Sequence, residues 1–502
     1  MRRLLGGWSA NLLQVVLGIT QQLALVPIFL HFCSSDMLAA WLAIYAASNL
    51  ALIADVGLLS RNTNRFLAFK SCVDCDGRSA QFFAAMQRVY LVLLSVLIGA
   101  VFAGTLLVPP SRALGFGQVA HFDISFAIGM AGMLMTLFSN LATALYRARG
   151  LYGRAVWVQC AAMLVSQIAQ VIAITTIGQL PAITIAYVVP QALAAAYLAT
   201  IDVRSLFPTI ARAGIIKGRS SLRWIAGQFR RAFPFAVAGS TEIALQNLPV
   251  LIVSALVVDR VAVAQWGLTR VVAGLVRALC LQATLPLAAE LGHDRAIGAK
   301  DQLRRLYARG SVMVTLLASL VVSGLLAFWE DFFALWTHGA IPFDLSLTLT
   351  LLIGAALAAP SVLALGYGYY SDRGELLART KGLQFISFIV LAIVLTPHLG
   401  PLGTAIAVVA TDLVVQFGFL ARTIIGETLE RPGRHLMLLA ALMFIVTAGG
   451  WALGVAIRFA LPGNGFVRFL AECALWVLVV AVAASPLAIA RVRNNLASLI
   501  PN

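Results

Sequence analysis

Runs of about 20 apolar residues recur from one end of this chain to the other, with few charges interrupting them. A run of that length, coiled as a helix, crosses a hydrocarbon core roughly 30 Å thick. Lipid offers no hydrogen-bond partners, so a spanning backbone must be helical or closed into a barrel, and the alternation that marks a membrane barrel is absent. The pattern predicts an all-α, polytopic membrane helical bundle. Only 11% of the residues are charged, against about a quarter in a soluble domain. That deficit excludes an ordinary soluble enzyme, and no stretch between runs is long enough for a water-soluble domain.

Fourteen spans are predicted: 8–30, 38–60, 84–107, 123–145, 155–178 and 182–202, then 232–257, 262–288, 310–329, 345–366, 383–397 and 402–421, and finally 437–457 and 468–490. They group as an N-lobe, 1–202, a basic cytoplasmic connector, 203–231, a C-lobe, 232–421, and a last segment, 422–502, carrying spans 13 and 14 and a cytoplasmic tail. The first span follows Met-Arg-Arg with no small-residue cleavage site and reads as a retained anchor. With the N-terminus inside, 29 of the 36 lysines and arginines fall on inside segments. Only Arg112, Arg260, Arg458 and Arg468 fall outside. This predicts that both termini are cytoplasmic, and the expected location is a bacterial inner membrane. The net charge of +16 lies beside anionic headgroups and does not imply nucleic acid. One Cys-x-x-Cys, Cys72 to Cys75, has no second pair, and no metal, cofactor or catalytic constellation is predicted.

An internal repeat connects the two lobes. Gln22 and Gln246 each lie near a proline and are followed by a tryptophan, Trp41 or Trp266. The offset between the two glutamines also relates Tyr146-x-x-Arg149-Gly150 to Tyr370-x-x-Arg373-Gly374. Spans 1 and 7 run in the same direction, because the helices from one to the next are even in number, so the repeats are parallel and leave a cleft between six-helix lobes. The arginines and lysine of 203–231 read chiefly as a solvated positive-inside linker.

Charges inside spans narrow the function. A charge at the centre of a spanning helix costs roughly 2.5–3.5 kcal/mol on insertion scales, so it faces a cavity or a partner. Arg270 and Arg277 in span 8 are two turns apart and share one face. Their forked guanidinium groups suit phosphate or carboxylate, or one of them pairs with Glu242 of span 7. Span 1 carries the amide stripe Asn11, Gln14, Gln21 and Gln22, echoed in span 7 by Glu242, Gln246 and Asn247. Such stripes are helix-to-helix glue or the hydroxyl-binding wall of a wet cavity. Asp55, Glu242 and Asp412 are candidates for H+ or Na+ coupling, with a cap or a local ion pair as the alternative for the two aspartates. Arg88 reads as snorkelling to the interface, and Glu472 carries no expected transport role.

The chain resembles the polysaccharide flippases of the multidrug/oligosaccharidyl-lipid/polysaccharide (MOP) exporter superfamily, in particular the Wzx-type O-antigen branch of lipopolysaccharide biosynthesis. The resemblance rests on the first hairpin from Asn11 through Trp41 to Asp55-Val-Gly57-Leu58, on Leu285-Pro286, on the Tyr370 to Gly374 turn, and on Gly400-Pro-Leu-Gly403-Thr-Ala-Ile-Ala407. It implies a MATE-like pair of six-helix lobes plus two C-terminal helices. It also implies a cationic cavity, with Arg270 and Arg277 holding the pyrophosphate of an undecaprenyl-linked oligosaccharide. No covalent chemistry follows. The partners implied are the lipid-linked oligosaccharide, membrane lipids, and a polysaccharide polymerase or export proteins. A multidrug exporter of the same superfamily is the first rival, weighed down by the basic strip. A glycan polymerase or glycosyltransferase is the second, and it lacks an acid/base constellation on the outer loops.

Overall fold

The computed structural model describes residues 2–55, 57–71, 77–211, 221–296, 298–371, 373–461 and 465–485. Every regular element among them is helical. The chain divides into two compact units, Met1–Ala264 and Gln265–Asn502. The first unit holds α1 (Arg2–Phe32), α2 (Ser35–Leu50, continued by a 3-10 turn, Ala51–Asp55), α3 (Leu58–Ser71) and α4 (Arg78–Leu107). It continues with α5 (Phe122–Thr136), α6 (Asn140–Arg149), α7 (Tyr152–Thr176), α8 (Leu180–Tyr197) and α9 (Leu222–Leu256). The second takes in most of α10 (Arg260–Ala296), then α11 (Lys300–Thr337), α12 (Leu345–Tyr370) and α13 (Gly374–Leu399). α14 (Pro401–Thr411) runs through a π-helical stretch, Asp412–Ala421, into α15 (Arg422–Thr428), and α16 (Pro432–Ala460) and α17 (Phe466–Ala484) follow.

Among the described residues, twelve helices are long and apolar enough to cross a membrane, and α1 and α10 lie over predicted spans 1 and 8. The protein is a multi-pass membrane protein with an all-α fold. Long lipid-facing side chains are left exposed accordingly, among them Leu106, Ile168, Ile386 and Val482.

Two boundaries differ from the sequence expectation. α9 begins at Leu222, inside the expected connector, because Ser221 caps it by accepting a hydrogen bond from the Trp224 backbone N–H at 3.2 Å. Trp224, Ile225 and Phe229 then pack on the apolar cluster around Leu58, Phe82 and Tyr146, which carries the helix past the membrane edge. Arg212, Lys217 and Arg219 of the connector lie outside the described residues, as do Cys72 and Cys75. The second difference is that α9, placed by the sequence in the C-lobe, packs on α2 and α3 in the first unit. Gly57 makes this approach feasible. Its φ is +70°, and a Cβ there would stand 2.6 Å from the Ala236 backbone nitrogen and 2.7 Å from the Ala232 carbonyl oxygen.

The repeat reappears as packing. A Cβ on Gly132 of α5 would collide with Val188 of α8, and a Cβ on Gly354 of α12 would collide with Val409 of α14. The second pair follows the first at nearly the offset of the repeat read from sequence. In each half, missing side chains let the fourth and sixth spans press together. α16 docks on α11 in the same manner, with Gly450 against Ser323 and Gly454 against Ala327, and α17 lays Trp476 against Gly324 of α11. Arg458 bonds Asp331 at 2.9 Å there, and buried Glu472 is held within its own helix by Arg468 at 2.7 Å.

Gly354→Ala should therefore lower stability by about 1–3 kcal/mol through overpacking. Gly449→Ala, at a position with nothing within 4 Å of the added carbon, should leave stability unchanged or raise it. Thermal unfolding of the two variants in detergent checks this, and equal midpoints would count against the packing argument.

Candidate functional site

In the second unit, α10 carries Arg270 and Arg277, about 10 Å apart along its axis and both half-buried. Nη1 of Arg277 lies 3.6 Å from Oδ2 of Asp412. The Arg277 side chain is 28% exposed and that of Asp412 15%. Charges this deep in spanning helices cannot be wetted by hydrocarbon, so the exposed part borders an aqueous path. Asp412 opens the π-helical stretch, where a wider turn resets the direction of the side chains that follow.

From Asp412 a chain of hydrogen bonds runs inward. Its Oδ1 accepts from Nε2 of Gln384 at 2.5 Å. Oε1 of Gln384 accepts from Nζ of Lys381 at 3.0 Å. The same ammonium donates to Oε1 of Gln416 at 2.7 Å, and Nε2 of Gln416 donates to Oγ of Ser361 at 2.7 Å. The path joins α10, the π-helical stretch, α13 and α12. Lys381, Gln384 and Ser361 are fully buried and Gln416 nearly so. A buried ammonium is tolerated here because neutral amide oxygens solvate it, and each amide's orientation is fixed by the group at its other end.

Lys381 is the residue that sequence reading missed. The predicted span, 383–397, starts past it, whereas α13 begins at Gly374 and carries Lys381 two turns in. The available signal was a pair of amides inside spans, Gln384 in span 11 and Gln416 in span 12, the latter one turn past Asp412. Asp412 is the acid placed beside Arg277. The coupling candidate and the anion-binding candidate are thus neighbours.

In the first unit the amide stripes divide between two roles. Gln21 is buried, and its Nε2 donates to Oε1 of Gln170 at 3.4 Å. Beside it Nε2 of Gln167 donates to the Leu17 carbonyl at 2.7 Å, tying α7 to α1. Gln14 is half-buried, and the side chains of Asn11 and Gln22 lie outside the described residues. On α9, Asn247 is buried and donates to the Ile243 carbonyl at 2.9 Å. Gln246 is exposed and its Nε2 reaches Oε1 of Glu242 at 3.5 Å. Gln21 thus links α1 to α7, and Asn247 bonds back to its own helix. Glu242 and Gln246 present a polar face in mid-span, where lipid is a costly neighbour.

Asp55 is enclosed by donors: the Leu59 backbone N–H at 3.0 Å, the Tyr90 hydroxyl at 2.8 Å and Nδ2 of Asn140 at 2.9 Å. It caps α3 and links three helices. Near the ends of the repeated helices the two halves solve one problem differently. In the first half Asp202 is held by Arg154 at 2.7 Å and by the Tyr146 hydroxyl at 2.7 Å. In the second, the motif residue Arg373 pairs with Glu427, which raises the pKa of the Arg373 guanidinium above its usual range. Among the described residues no three His, Cys, Asp or Glu side chains gather as a metal site would require.

Three solved structures share this fold. The lipid II flippase MurJ in an inward closed conformation superimposes with a TM-score of 0.71 at 12% identity, covering 96% of this chain and 99% of that one. An inward-facing multidrug resistance MATE family transporter of the MOP superfamily gives 0.66 at 14% identity, covering 84% and 95%. A eukaryotic MATE transporter gives 0.50 at 14%, covering 88% and 95%. Neither any protein-family model nor any curated protein matches the sequence. The chain has the MurJ/MATE fold, and the solved proteins that share it are transporters or flippases, not enzymes.

Asp55→Ala removes a helix cap and two cross-links and should cost at least about 1–2 kcal/mol of stability. Asp55→Asn keeps a capping oxygen and should cost less. Limited proteolysis together with thermal unfolding orders the two variants, and a reversed order would deny Asp55 its structural role.

Proposed function

We propose that the chain is a transporter of the MOP superfamily that flips an undecaprenyl-pyrophosphate-linked oligosaccharide from the cytoplasmic to the outer leaflet by alternating access. It would supply cell-surface polysaccharide such as O-antigen or exopolysaccharide. One observation carries the reading: Arg277, Asp412, Gln384 and Lys381 line one continuous polar path in spanning helices of the second unit, with Arg270 on the same helix face as Arg277. A positively biased path suits a diphosphate headgroup, which guanidinium holds bidentately. It disfavours the cationic cargo of a drug exporter. Glu242 and Gln246, with Gln14, are the proposed contacts for sugar hydroxyls. The distribution of arginine and lysine supports cytoplasmic termini, and a bacterial inner membrane is the location this activity requires. A polysaccharide polymerase or export proteins would act beside it.

For coupling we favour a proton. The ammonium of Lys381 already occupies the amide oxygens beside Asp412, so a sodium ion at that point would meet a fixed positive charge.

Two measurements test this. In proteoliposomes the native protein should expose a polyprenyl-pyrophosphate oligosaccharide to an impermeant glycosidase, and Arg277→Ala should flip it at least tenfold more slowly while folding normally. Equal rates would make Arg277 structural, and export of cationic drugs without flipping would overturn the reading. Separately, native transport should respond to an imposed pH gradient and not to a sodium gradient, and Asp412→Asn should abolish that response. A sodium dependence would reverse the choice of ion.

A further inference from the structure

Where α3 meets α9, three arginines gather. Gly57 lets the α9 backbone at Ala232 and Ala236 lie against the start of α3. The Arg61 backbone N–H donates to the Gly57 carbonyl at 3.2 Å, which sets Arg61 one turn along α3 and Arg65 one turn further. Arg231 directly precedes Ala232. The same close approach that packs the helices thus collects the three guanidinium groups. Burial first, then the charges of Arg231 and Arg65, push the Arg61 pKa below its ordinary range, and no described carboxylate offsets them. Arg61 is half-buried, and its Nε is buried with no hydrogen-bond partner among the described residues. Arg65 is braced over the Phe69 ring at 4.6 Å, and Arg231 is exposed.

The location is informative. The span ending at Asp55 and the span beginning at Phe235 bracket this cluster, so it stands at the level of lipid headgroups. Gathering like charges around a half-buried guanidinium opposes folding, and a site of that kind is relieved when a ligand brings the countercharge. Arginine forks match phosphate oxygens, and the unsatisfied Nε of Arg61 needs an acceptor. We propose that Arg61, Arg65 and Arg231 form a binding site for the phosphate group of a lipid headgroup at the membrane surface. The site is separate from the Arg277 path and stands whether or not the flippase reading holds.

The test uses the full chain in detergent, with native mass spectrometry and diacyl phosphatidylglycerol, phosphatidylcholine and inorganic pyrophosphate as probes. Arg61→Gln/Arg231→Gln should lose at least tenfold in affinity for phosphatidylglycerol. Arg305→Gln, which removes an exposed arginine elsewhere, should lose none, and phosphatidylcholine should bind weakly to every protein. Pyrophosphate that fails to bind assigns the site to a lipid headgroup, and pyrophosphate that binds with the same tenfold dependence assigns it to a soluble diphosphate. Equal affinity for phosphatidylglycerol in the native and double-variant proteins overturns the site. Relief of repulsion should also leave the lipid-free unfolding temperature of the double variant unchanged or higher, and a fall would make these arginines structural and overturn the proposal.

Discussion

Lipid gives a polypeptide nothing to hydrogen-bond with, and this constraint organises the whole molecule. It forces the backbone into helices and leaves tight packing to residues without side chains. It also makes each polar side chain in a span either a partner to another or a wall of a wet path. The glycine contacts at Gly132, Gly354, Gly450 and Gly454 are the packing consequence. The chain from Arg277 to Ser361 is the polar one.

Because that constraint acts on composition, the fold was legible early. Apolar runs marked the helices. A repeat seen in a handful of residues reappeared as matched glycine–valine contacts, Gly132 with Val188 and Gly354 with Val409. Helix ends were less legible. Ser221 sits in a basic stretch that reads as linker, and only its cap and the apolar face of Trp224 and Phe229 reveal that α9 has already begun.

The site was legible in part. Arg277 and Asp412 stood out as charges in apolar spans, yet their pairing could not be read, since they lie on helices far apart in sequence. Lys381 was hidden by its own compensation. A lysine near a span end reads as a loop residue unless its solvating groups are known, and those are Gln384 one turn on and Gln416 from another helix. The amide stripes divided because periodicity identifies a face but not what covers it. Gln21 met Gln170, while Gln246 met Glu242 on its own helix.

Gln384 passes its carbonyl to the ammonium of Lys381 and its N–H to the carboxylate of Asp412, so one amide orients both charged groups. Gln416 gives the ammonium a second carbonyl, and the other carboxylate oxygen of Asp412, Oδ2, stands 3.6 Å from Nη1 of Arg277. Each group along this path orients the next, so replacing any one of them leaves a buried neighbour short of a partner, which costs more than the bond itself contributes.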